Sequence, residues 1–167
     1  MNKVISIALS IVMLFNVNIG DLYDIIWANA SDDVRQTFPI AIQAHACGMD
    51  ETEFEFMARV VEMESDRSDS LDGKTLIAAV IINRTNPENW EFPDTITGVL
   101  CQNGQFTTVS GGWCSQSYTT TSRWAIVEAQ RQISTGDIPT DLLYFNCVGY
   151  NYGTPYAYVD GNYFMRG

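Results

Sequence analysis

The sequence predicts an α+β fold of one domain, with helices first and a small β or irregular unit at the C-terminus. Two observations carry this. From about residue 32 to residue 136, apolar residues recur at helical spacing between capping and stop signals. The segments Leu142–Asn146, Tyr156–Val159 and Tyr163–Met165 are instead short, aromatic-rich and separated by Gly, Pro and Asp, the pattern of strands joined by turns. Neither an internal repeat nor a low-complexity tract interrupts this order.

Asp32 or Asp33 caps a first helix that passes through Phe38, Pro39 and Ile42 and stops near Gly48. Asp50 caps the next, in which Met57, Val60, Val61 and Glu64 follow the i, i+3, i+4, i+7 spacing of one face. Glu55, Arg59 and Glu62 fall on the opposite, wet face, with Glu55 and Arg59 placed to pair. Ser65 to Asp72 is a polar, acidic loop whose residues do not match a calcium-binding loop. Lys74 to Arg84 is apolar almost all the way round, which predicts a buried central helix. Asn83 extends its buried stripe, so the amide must find partners. Pro93-Asp94 opens a short helix through Ile96 and Leu100. The loop from Cys101 to Gln116 carries Gln105, Phe106 and Trp113 among glycines, a composition suited to a binding wall or to a stapled structural loop. Thr121 or Ser122 caps a helix over Arg123–Ser134, and Gly136 ends it.

The chain of 167 residues divides into residues 1–30, a signal peptide or N-terminal anchor, and residues 31–167, the folded domain. Lys3 precedes a mostly apolar run from Val4 to Ile19 that is short for a membrane span, and Ala28-Asn29-Ala30 offers a cleavage site before Ser31. An uncleaved anchor is the alternative, and either way the domain is expected outside the cytoplasm. The net charge of −11 argues against nucleic acid and anionic lipid surfaces as partners, so no membrane contact is expected beyond that anchor. Cys47, Cys101, Cys114 and Cys147 form an even set in an exported chain and predict two disulfides, with Cys101–Cys114 and Cys47–Cys147 preferred among three connectivities. Structural zinc lacks its ligand spacing, since there is no CxxC pair and His45 is the single histidine. Neither a metal nor another cofactor is expected, and the domain is expected to be a monomer.

Glu64 is the candidate catalytic residue. It places a carboxyl where the stripe calls for an apolar side chain, and a carboxyl in apolar surroundings stays protonated near neutral pH, as a general acid must. A glutamate turned to water at a frayed helix end fits the same spacing.

A series of motifs runs in order through the domain: Ala58-Arg59 with Glu64, Gly73, Ala78-Ala79-Val80-Ile81-Ile82-Asn83-Arg84, Phe92-Pro93, Asn103-Gly104-Gln105-Phe106, Leu143-Tyr144-Phe145 and Gly161-Asn162-Tyr163-Phe164-Met165-Arg166. In that order, from about Phe54 to the C-terminus, they resemble the SleB/CwlJ cell-wall hydrolase family, the spore-cortex-lytic type of enzyme. The resemblance implies a lysozyme-like α+β fold and cleavage of peptidoglycan glycan strands between N-acetylmuramic acid and N-acetylglucosamine, by lytic transglycosylation or by hydrolysis. It implies Glu64 as the general acid/base and places Asp69 near a second acid of the family. Asn83, Gln105, Phe106, Trp113, Tyr144 and Asn146 are the expected substrate contacts, because aromatics and amides suit sugar faces and hydroxyl edges. Asn146 and Tyr163 stand where many relatives carry histidine, so any role for imidazole is missing. The implied setting is extracellular, at the cell wall or spore. A catalytically silent peptidoglycan-binding or wall-assembly protein is the alternative.

Overall fold

The computed structural model describes residues 30–66, 68–111 and 117–167. The targeting segment, Trp113 and Cys114 lie outside the described residues. Helices come first: α1 (Asp32–Thr37), α2 (Ile40–Ala46), α3 (Glu51–Glu64), α4 (Leu71–Arg84), α5 (Ile96–Cys101), α6 (Thr107–Ser110) and α7 (Thr120–Thr135). A three-stranded antiparallel sheet follows, formed by β1 (Leu142–Asn146), β2 (Thr154–Val159) and β3 (Asn162–Arg166) in the order β1-β3-β2. This is the predicted α+β arrangement, and none of these helices is long and apolar enough to cross a membrane.

The first predicted helix is two. Phe38 is extended, as the residue before a proline prefers, and Pro39 starts α2 rather than lying within a longer helix. The carbonyl of Phe38, freed from helical bonding, accepts from Arg123 on α7, which also donates to Gln43 Oε1 at 2.8 Å. The break thus docks both short helices on the core, where the Phe38 and Trp124 rings lie 5.5 Å apart.

α3 begins at Asp50, whose carboxylate accepts from the Glu53 N–H at 2.9 Å, and α4 begins at Ser70, whose hydroxyl accepts from Gly73 N–H. Met57, Val60 and Val61 of α3, Ile77, Val80 and Ile81 of α4, and Trp124, Ile126 and Val127 of α7 are fully buried together. α4 is the central helix, packed against α7 on one side and β1 on another. Gly136 takes the left-handed conformation (φ 81°) that ends α7.

Asn83 joins α4 to the sheet: its Nδ2 donates to the carbonyls of Pro139 (2.9 Å) and Leu142 (3.1 Å). In the sheet, Phe145 pairs with Phe164 and Asn146 with Tyr163. The Phe145 and Phe164 rings stack at 5.8 Å, anchoring the sheet on the helical core.

The disulfide expectation does not hold: Cys47, Cys101 and Cys147 are free thiols. Cys101 and Cys147 are exposed, while Cys47 sits half-buried at the end of α2. An even cysteine count gives parity, but bridging needs Cα atoms within about 7 Å, which sequence cannot supply.

Candidate active site

α3 delivers Glu64 into a cleft of ≈ 790 Å³. The helix ends there as Asp66 N–H closes a tighter turn on the Met63 carbonyl (3.2 Å), the Ser65 hydroxyl donates to the Glu62 carbonyl (2.9 Å), and Asp66 adopts a left-handed conformation (φ 49°). Glu64 is half-buried, and its Oε1 accepts from the Thr108 hydroxyl at 2.7 Å. Burial pushes its carboxyl above the usual carboxylate range, and the bonds from Thr108 oppose but do not cancel that rise. A carboxyl held by one hydroxyl and short of water is suited to donate a proton.

The cleft walls come from separate parts of the chain: Arg84 at the end of α4, Glu91 and Phe92 beyond it, Gln102, Gly104 and Gln105 before α6, β1, Tyr152, and the β2–β3 turn at Asp160–Asn162. Asp66, Glu91 and Asp160 are its further acids. Asp160, like Asp66, is left-handed (φ 50°), and non-glycine residues in this region concentrate at functional sites. Gly73 makes room for the Asp160 carboxyl: a Cβ at position 73 would fall 2.2 Å from Asp160 Oδ2. The turn therefore seats against the first turn of α4, where the helix dipole favours negative charge.

The expected site residues separate into two groups. Gln105, Tyr144 and Asn146 line the cleft with Glu64. Phe106 is instead buried in the core, 6.4 Å from the Phe145 ring, and so supports the wall from behind. Asn83 is likewise buried and spends its amide on the Pro139 and Leu142 carbonyls, a structural use. Asp69 is exposed in the loop before α4 and is not part of the cleft wall; Asp66, Glu91 and Asp160 are the acids that the fold brings there beside Glu64.

Glu62 requires a correction. The single-stripe reading of α3 puts it on the wet face, yet it is buried and gathers four bonds: from Lys74 Nζ (2.8 Å), Ser122 Oγ (2.6 Å), Thr119 Oγ1 (2.7 Å) and Thr119 N–H (3.0 Å). Burial alone raises its carboxyl, but the bonds from Lys74, Ser122 and Thr119 outweigh it and hold the group down at about 2. Lys74 is itself fully buried. The pair fastens the end of α3, two residues before Glu64, to α4 and to the start of α7.

Thr108, Arg84, Asp160 and Tyr152 were not expected at the site. Thr108 follows Phe106 within the loop read as a wall, so its neighbourhood was visible but its bond was not. Asp160 in the turn before Asn162 had no periodic signal.

Comparison with known proteins adds the following. A family model described as Cell Wall Hydrolase matches residues 68–158, more than half of the chain. The catalytic domain of the germination-specific lytic transglycosylase SleB from Bacillus anthracis is similar in structure, with a TM-score of 0.58 and 25% sequence identity, covering 71% of this chain and 98% of that one. No curated protein matches in sequence.

Proposed function

The chain belongs to the cell wall hydrolase family, enzymes that break glycosidic bonds in peptidoglycan, and from that premise we propose that it cleaves glycan strands with Glu64 as its general acid/base. The observation that carries the assignment is the half-buried Glu64 carboxyl, raised by burial and lining a cleft of ≈ 790 Å³. The family match begins at residue 68, so the role of Glu64 rests on this geometry and not on the match.

Protonated Glu64 donates to the glycosidic oxygen as the bond to the muramic C1 breaks, and positive charge develops on the sugar ring. The carboxylate left behind takes the proton of the muramic 6-hydroxyl as that oxygen closes on C1. The product is a 1,6-anhydro end, and the acid is restored without water. Lytic transglycosylation is the preferred route because one carboxyl carries both steps, and the similar SleB domain is named for this reaction. Hydrolysis is the second reading. It is favoured by Asp66 and Asp160, two left-handed acids on the same cleft that would activate water or stabilise the cation.

The wall is the setting this function requires, and export of residues 31–167 by the N-terminal segment belongs to the same proposal. Mass spectrometry of fragments released from purified sacculi tests the chemistry. Anhydro-muramic ends are expected. Reducing muramic ends would select hydrolysis, and release of no fragment would overturn glycan cleavage.

A further inference from the structure

Two charges of the core lie where their own helices oppose them. Glu62 is in the last turn of α3, the negative end of that helix, and Lys74 is in the first turn of α4, the positive end. Both are buried, Lys74 completely. An ion pair withdrawn from water in this way often stabilises a fold no more than apolar side chains of similar volume would. Its position is therefore informative. Glu62 is two residues from Glu64, and Lys74 follows Gly73, against which the Asp160 turn of the cleft is seated.

The bonding converges on one atom. Lys74 Nζ, Ser122 Oγ, Thr119 Oγ1 and the Thr119 N–H all donate to Glu62 Oε2. Lys74 also donates to Thr119 Oγ1 at 3.1 Å, and the same oxygen accepts from the Ser122 N–H as the cap of α7. The start of α7 presents its positive end to the Glu62 carboxylate, which offsets the unfavourable end of α3. The ends of α3, α4 and α7 thus meet at a single carboxylate oxygen.

Glu64 is held far less firmly. Among the described residues its carboxyl bonds only with Thr108, on the four-residue α6. At about 100° per residue, Glu62 and Glu64 project from nearly opposite sides of α3, so a clamp on one side sets the direction of the other. A carboxyl about 5–6 Å from the helix axis moves by about 1 Å when the turn rotates by about 10°. A misplacement of about 1 Å at a reacting group can lower a rate about a hundredfold.

We propose that the Glu62–Lys74 pair, with Thr119 and Ser122, is a positioning device that aims the Glu64 carboxyl into the cleft. None of the four lines the cleft, and they act through the last turn of α3. The inference rests on the glycan-cleaving role of Glu64 and adds the residues that fix its geometry.

Paired substitutions separate aim from stability. Glu62→Leu with Lys74→Met puts apolar side chains of similar volume in place of the pair, and the melting temperature is expected to be kept or raised. On soluble glycan strands, kcat is expected to fall about ten- to a hundredfold with KM unchanged. Glu62→Gln with Lys74→Met removes both charges but keeps a carbonyl oxygen for Thr119 and Ser122, and is expected to recover most of kcat. Ser122→Ala, the mildest change, is expected to lower kcat several-fold at unchanged KM. Crystal structures of the variants give a readout that needs no turnover. The Glu64–Thr108 contact, 2.7 Å in the wild type, is expected to lengthen by about 1 Å in the first double variant and to persist in the second. Full kcat in the first double variant would make the pair structural only and overturn the proposal. Equal losses in both double variants would assign the effect to charge and overturn it too. Should the first double variant fold poorly, Ser122→Ala decides in its place, and an unchanged kcat there overturns the proposal. A wild-type protein that releases no fragment sinks the glycan-cleaving reading alone, and the Glu64–Thr108 contact then decides whether the pair aims the carboxyl.

Discussion

Glu62 and Glu64 lie two residues apart on α3, and the fold moves their carboxyls in opposite directions. Glu64 loses water and gains one hydroxyl, so its proton is held above the ordinary range. Cleavage that needs this proton should fall as pH rises through that raised value. Thr108→Val removes a bond that favours the charged form, so the alkaline limb of the pH–rate profile should move to higher pH. A limb that stays in place would separate Thr108 from the acid. Glu62 sits at about 2 against an ordinary 4.5, because Lys74, Ser122 and Thr119 favour its charged form. A folded value below the unfolded one contributes stability that is complete above about 4.5 and disappears as pH falls towards 2. Glu62→Gln leaves Lys74 buried without its counter-charge, and should cost about 3–5 kcal/mol at neutral pH. Urea melts of both proteins should show that difference shrinking in acid; a constant difference would mean that the pair contributes by packing only.

At the scale of elements, caps and periodicity made most of the fold legible. Asp50, Gly136 and the apolar run of α4 act as their residue types predict, and the aromatic runs near the C-terminus form strands. The departures have physical causes. Phe38-Pro39 splits one predicted helix because the residue before proline leaves the helical region. Glu62 was misplaced because α3 is covered on more than one side. Phe54, Ala58 and Glu62 form a second buried row at i, i+4, i+8, which a single stripe from Met57 conceals. Lys74, a lone cation at the start of an apolar helix, was the available hint that some acid would be buried with it. The contact between α4 and the β2–β3 turn gives a direct test of element packing. Gly73→Ala should push the exposed Asp160 carboxylate aside, so that the gain of about 1 kcal/mol expected from replacing a helical glycine is only partly realised. Asp160→Gly, which suits the left-handed backbone, should release the full gain from Gly73→Ala in the double variant; the same gain with and without the Asp160 side chain would deny the contact.

Across the whole molecule, the cleft joins Glu64, Arg84, Tyr144 and Asp160, which are far apart in the chain. Sequence patterns reveal each element's face but not which loops meet at one end of the core. Glu64, Gln105, Tyr144 and Asn146 were therefore identifiable as polar or aromatic residues in suggestive places, whereas Thr108 and Asp160 depended on the assembled fold. The net charge of −11 is compatible with this cleft, because amides and rings recognise a glycan without a positive field. The central claim is that Glu64 supplies the proton for glycan cleavage, and it is tested most directly by fragment release from purified sacculi by wild type and Glu64→Gln at matched melting temperature. A loss of about a hundredfold or more is predicted for the variant. Equal release by the two proteins would contradict the account.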